Sequence, residues 1–227
     1  MAKESLLGSS IGRKFAMALS GMFLMIFLII HLAANLTSLF PDDGATYNAV
    51  SEFMGYNWMV QYIMQPVLVV GIVYHFVMAQ ILTARNNKAR PVKYAYNNSK
   101  ENSSWMSRNM LITGGVIFAF FILHFIDFWF PEMGMKYVDG IGAADHPSFY
   151  EELQHKFTSL PRIIAYVVAF VMLMLHLLHG AQSSFQSVGF NNKKYTPAIK
   201  SASKWFAILV PVGFIIIAIF HYLKSIM

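Results

Sequence analysis

Five long apolar blocks separated by polar stretches organise the sequence, running approximately over residues 15–39, 58–82, 110–130, 161–185 and 205–223. A helix needs about 20 mostly apolar residues to cross the hydrocarbon core of a bilayer, which is about 30 Å thick. Each block reaches about that length. The predicted fold class is therefore all-α: one domain, residues 1–227, forming an integral membrane bundle of five transmembrane helices. The first block is too long for the apolar core of a secretory signal and has no convincing small-residue cleavage site, so it is read as a span. Pro66 and Pro211 lie inside blocks and predict kinks, because spanning helices tolerate proline where neighbours satisfy the freed carbonyl. Trp58, Trp105, Trp129 and Trp205 fall at block edges, where an indole prefers the headgroup region. The third connection, about 30 residues, exceeds ordinary loop lengths and is expected to fold into short helical pieces over one surface.

Composition agrees: the chain is 56% hydrophobic and only 12% charged, with a mean hydropathy of +0.49, outside the balance of soluble domains. A net charge of +6 would suit a nucleic-acid binder, but the basic residues fall between apolar blocks and encode topology instead. The N-terminus carries Lys3, Arg13 and Lys14. The second connection carries Arg85, Lys88, Arg90, Lys93, Lys100 and Arg108, and the fourth carries Lys193, Lys194, Lys200 and Lys204. The first and third connections are acidic, with Asp42, Asp43, Glu52, Glu132, Asp139, Asp145, Glu151 and Glu152. By the positive-inside rule the N-terminus is cytoplasmic and the C-terminus outside. There is no cysteine, so any iron-sulfur centre belongs to a partner.

The first four blocks each hold an interior histidine: His31, His75, His124 and His176. Ionisable groups at such depths are costly and are candidates for function. Each lies about two-thirds of the way across its block in the direction of the chain. Because direction alternates, His31 and His124 share a level near the outer face, and His75 and His176 share one near the cytoplasmic face. Two imidazoles on opposite faces of one macrocycle ligate a haem iron. The two levels therefore predict an outer haem b on His31 and His124 and an inner one on His75 and His176. Gly21, Gly71, Gly114, Gly115 and Gly180 would let rings lie close to the backbones, although packing of small residues explains them equally.

The segments FLIIHLAANL, YNAVSEFM, IVYHFVMAQILTARNN, FILHFIDFWF and LHLLHGAQSSFQSVG together resemble the single-chain, five-helix, two-haem cytochrome b subunit of succinate dehydrogenases and fumarate reductases. The resemblance covers nearly the whole chain. It implies that His75 and His176 ligate the haem proximal to the soluble subunits, and His31 and His124 the distal one. It places the fourth ligand four residues before a glycine, matching His176 ahead of Gly180, with His179 as the rival. A flavoprotein and an iron-sulfur subunit would dock on the cytoplasmic face, the quinone would be menaquinone, and the whole complex could dimerise. In some fumarate reductases of this class a glutamate two residues before that ligand serves a transmembrane proton path; here the position is Met174, which puts such a path in doubt.

Quinone chemistry requires protons at the head group, which suits a carboxylate near the distal haem. Glu52 is the first candidate and Asp127, one turn beyond His124, the second. Propionates want cationic partners at the interfaces, for which Arg13, Lys14 and Lys193 on the inner side and Arg162 on the outer side are candidates. His146 and His155 read as ordinary surface residues, and His221 as structural or interfacial. The alternatives are the cytochrome b anchor of another respiratory enzyme, or a haem-free transporter using the histidines as a proton relay.

Overall fold

A computed structural model describes residues 9–89 and 103–227 of the chain. Lys3, Arg90, Lys93 and Lys100, which contribute to the charge pattern, lie outside the described residues. Within them the chain is helical, and five stretches are long and apolar enough to cross a membrane: Ser10–Leu39, Val60–Lys88, Met110–Tyr137, Leu160–Ser187 and Thr196–Ile226. The face bearing the N-terminus is termed inner below, and the opposite face outer, after the charge pattern.

The helices are α1 (Ser10–Leu36), α2 (Ala45–Tyr56), α3 (Gln65–Lys88), α4 (Trp105–Arg108), α5 (Met110–His124), α6 (Phe130–Tyr137), α7 (Phe149–Lys156), α8 (Leu160–Ser187) and α9 (Thr196–Ile226). The Ser9 hydroxyl caps α1 by accepting from the Gly12 amide at 2.9 Å, satisfying a donor that the first turn leaves orphaned. A single π turn, Val60–Met64, leads into α3, and a second, Phe125–Trp129, joins α5 to α6. The helix α7 with a 3-10 turn at Ala143–Asp145 folds the third connection over the outer surface, as its length predicts, while α6 continues the third span.

Pro66 lies inside the continuous span Val60–Lys88, directly after the first π turn, so its missing N–H falls where the helix changes from π to α geometry. Pro211 is buried inside α9, which continues through it. Trp58 and Trp105 stand exposed at helix starts, but Trp129 lies within the second π turn and Trp205 sits well inside α9. Those two tryptophans therefore do not mark helix ends. The fifth helix starts at Thr196 because the basic stretch before Trp205 is itself helical.

Four spans form a ring. α1 packs against α3 and α8, and α5 packs against α8 and, more lightly, α3. α9 lies outside the ring along α8 and also touches α1. The α8/α9 seam holds the main core, with Tyr166, Phe170, Val210, Phe214, Ile217 and Ala218 under Leu153 of α7 and Phe157 just after it. Ala181 and Ala207 are almost fully buried, which lets these backbones approach closely. The outward faces are apolar: Ile26, Val70, Ile112 and Leu209 are each more than half exposed. In water such faces would be a liability, and in lipid they are the expected surface.

Gly44 is needed where α2 begins. Its φ is +83°, and a Cβ there would run into the Tyr150 side chain, a contact no side chain tolerates.

Candidate functional site

The histidines meet across the diagonals of the ring. His31 of α1 faces His124 of α5 with ring centroids 5.9 Å apart. His75 of α3 faces His176 of α8 at 6.4 Å. It is His176, not His179, whose ring faces His75. Gly21 of α1 lies beside His75, and His31 follows ten residues later. Gly114 of α5 lies beside His176, and His124 also follows ten residues later. At about 1.5 Å per residue the two tiers are therefore about 15 Å apart by either helix.

Hydroxyls on the outward-running helices orient the inner pair. Ser20 Oγ donates to the Met17 carbonyl at 2.8 Å and lies 3.0 Å from His75 Nδ1. Thr113 Oγ1 donates to the Met110 carbonyl at 3.1 Å and lies 3.2 Å from His176 Nδ1. A hydroxyl that gives its proton to the carbonyl can accept one from Nδ1, and imidazoles so oriented would present Nε2 lone pairs to a metal, the usual arrangement of a ligating imidazole. The outer pair is held differently. His31 Nδ1 lies 3.5 Å from the Asn35 amide, and His124 Nδ1 is buried with no hydrogen-bond partner. His31 stacks on Phe27, and His124 packs among Phe120, Phe128 and Tyr166.

These residues fit two bis-imidazole haem sites. A metal–imidazole bond of about 2 Å on each side, with about 1 Å more to each ring centre, holds the centroids about 6 Å apart, as observed. The close approaches at Gly21 and Gly114, each 3.4 Å from an imidazole Cε1 to an ideal Cβ, leave the inner rings against bare backbone. The other glycines serve differently: Gly71 admits Phe23, Gly180 meets Met110, and Gly115 has nothing within 4 Å.

The remaining candidates scatter. Glu52 is exposed on the outer helix α2. Burial, and then the carboxylates of Glu132 and Glu52, push the nearby Tyr56 phenol up. Arg13 is half-buried in the first turn of α1, Lys14 is exposed beside it, and Lys193 is exposed after α8. Arg162 is engaged within the chain: its Nε donates to Asp127 Oδ2 at 3.1 Å. Asp127 does not end a helix but lies buried in a π turn, where Tyr166 also donates to Oδ2 at 2.9 Å.

His146 departs from the surface expectation. Its side chain is 1% exposed, stacked on Phe149 and within hydrogen-bond distance of Glu132 Oε2 through Nε2, at 2.7 Å. Lys136 joins the same carboxylate and donates to the Gly55 carbonyl, tying α6 to α2. His155 is exposed, as read from sequence. His221 is fully buried and 2.9 Å from Ser38 Oγ, a structural role.

Residues 86–220 match the family described as Succinate dehydrogenase/Fumarate reductase transmembrane subunit. The match spans the third to fifth transmembrane helices, with His124 and His176 inside it and His31 and His75 before it. No curated protein and no solved structure matches the chain. With more than half of its length matched, and five apolar helices around paired histidines, the chain belongs to the succinate dehydrogenase/fumarate reductase transmembrane subunit family.

Proposed function

We propose that this membrane subunit is a di-haem cytochrome b that carries electrons between an iron-sulfur partner at the inner face and a quinone near the outer face. The observation that carries this reading is the diagonal pairing of His75 with His176 and of His31 with His124, at 6.4 and 5.9 Å. Haem b supplies reversible one-electron iron chemistry when bound. The chain's own contribution is to hold four imidazoles at two depths, orient the inner pair through Ser20 and Thr113, and exclude water with a shell of phenylalanines. Carbon chemistry on succinate and fumarate belongs to the flavoprotein partner in this reading, and the quinone is menaquinone. The complex sits in a bacterial cytoplasmic membrane.

The test is a dithionite-reduced minus oxidised spectrum with haem quantification on the purified complex. Two haem b per chain are expected, together with a flavoprotein and an iron-sulfur subunit. A colourless preparation, or co-purification with a molybdenum or nickel enzyme, overturns the proposal.

A further inference from the structure

Asp127 is the only fully buried carboxylate among the described residues. It lies in the π turn Phe125–Trp129, three residues beyond His124. Single π turns inside long helices concentrate at functional sites. Its two oxygens differ: Oδ2 accepts from the Tyr166 hydroxyl and from Arg162 Nε, whereas Oδ1 is buried with no hydrogen-bond partner. An unpaired buried oxygen is costly, and a residue serving only to pair Arg162 has no need to carry one.

The surroundings of Asp127 give the open oxygen a use. On the outer side, Asp127 lines a recess of about 340 Å³ with Pro131 and, from α7, Glu151, Glu152, His155 and Lys156. Five of these six residues are ionisable, a lining that suits water and protons and not an apolar quinone ring. Burial pushes the Glu152 carboxyl up, so it holds a proton at higher pH than a free surface acid. On the inner side, the ring of Tyr166 packs 6.3 Å from the ring of His124. Asp127 thus stands between outside water and the outer histidine pair.

We propose that Asp127 is the group through which a quinone at the outer tier exchanges protons with outside water. The proposal rests on the di-haem reading above. Reduction of a quinone to a quinol consumes two electrons and two protons. The electrons come from the iron-sulfur partner, each proton leaves the Asp127 carboxyl, and each is replaced from the recess, so Asp127 ends as it began. Quinol oxidation runs the same route backwards. Between transfers Arg162 balances the carboxylate charge, and Tyr166 anchors Oδ2 so that Oδ1 carries the proton. The ionisable groups facing Asp127 are Tyr166 and Arg162 from α8, the four residues of α7, and His124 on its own helix.

The holo-complex is compared with Asp127→Asn, Asp127→Glu and Tyr166→Phe, using a short-chain menaquinone analogue. Asp127→Asn is expected to lower quinone turnover about a hundredfold and flatten its pH profile, with both haem spectra intact. Asp127→Glu should stay within about tenfold of wild type and shift that profile, and Tyr166→Phe should lie between the two. Redox-difference infrared spectra should show a carboxyl C=O band that Asp127→Asn abolishes and Asp127→Glu displaces. Normal turnover in Asp127→Asn at full haem content overturns the proposal, as does the absence of such a band from wild type. Haem loss in both Asp127 variants also overturns it, assigning the residue to structure. A wild-type complex without haem refutes the di-haem reading instead, a separate outcome.

Discussion

Ser20 Oγ stands 3.0 Å from His75 Nδ1, on the helix that supplies His31 to the other tier. Thr113 has the same relation to His176 and sits on the helix of His124. Removing a partner that orients a metal-binding imidazole typically weakens metal affinity 10–100-fold. Ser20→Ala and Thr113→Val are therefore expected to weaken retention of the inner haem by about tenfold or more and to alter its midpoint potential. The outer haem should be unaffected. Redox titration with haem quantification checks this, and an unchanged inner haem would remove the assigned role.

The tiers should fail separately. His31→Ala or His124→Ala is expected to remove only the outer haem, and His75→Ala or His176→Ala only the inner one. His179→Ala should keep both. Low-temperature difference spectra of the five variants resolve the outcome; loss of a haem in His179→Ala with retention in His176→Ala would reverse the ligand assignment.

Gly44→Ala meets both a left-handed φ of +83° and the Tyr150 ring. It is expected to destabilise the outer cap by about 1–3 kcal/mol or more. Gly115→Ala, with nothing within 4 Å of its ideal Cβ, should be nearly neutral or slightly stabilising through helix propensity. Thermal unfolding of the detergent-solubilised complex compares them, and equal effects would contradict the packing described.

Glu52→Gln is expected to slow quinone turnover with both haem spectra unchanged. Glu52 is exposed on α2, so its contribution depends on a quinone approaching that face. Turnover equal to wild type would leave Asp127 as the outer carboxylate that matters.

The spans were legible in the sequence because a bilayer forces uninterrupted apolar length, and the histidine pairs because depth alternates with chain direction. The start of the fifth helix was not, since Lys200 and Lys204 interrupt the apolar run without interrupting the helix. The burial of His146 depends on Phe149 beside it and on Glu132, fourteen residues away in sequence. No local pattern encodes that contact. The Asp127–Arg162 pair joins spans three and four, so two candidates considered separately turn out to share one hydrogen bond. Ser20 and Thr113 did leave a sequence signal: each is a hydroxyl eleven residues before a paired histidine on an outward-running helix. Eleven residues are three turns plus about 20°, the same face of the helix.

That interval makes α1 and α5 rulers as well as carriers of the paired histidines. Inserting or deleting one residue between Ser20 and His31, or between Thr113 and His124, would rotate one end about 100° against the other. One helix edit that touches no paired histidine and no hydroxyl would then put the two tiers out of phase. Length variation in this protein should accordingly gather in its connections and spare those two eleven-residue stretches.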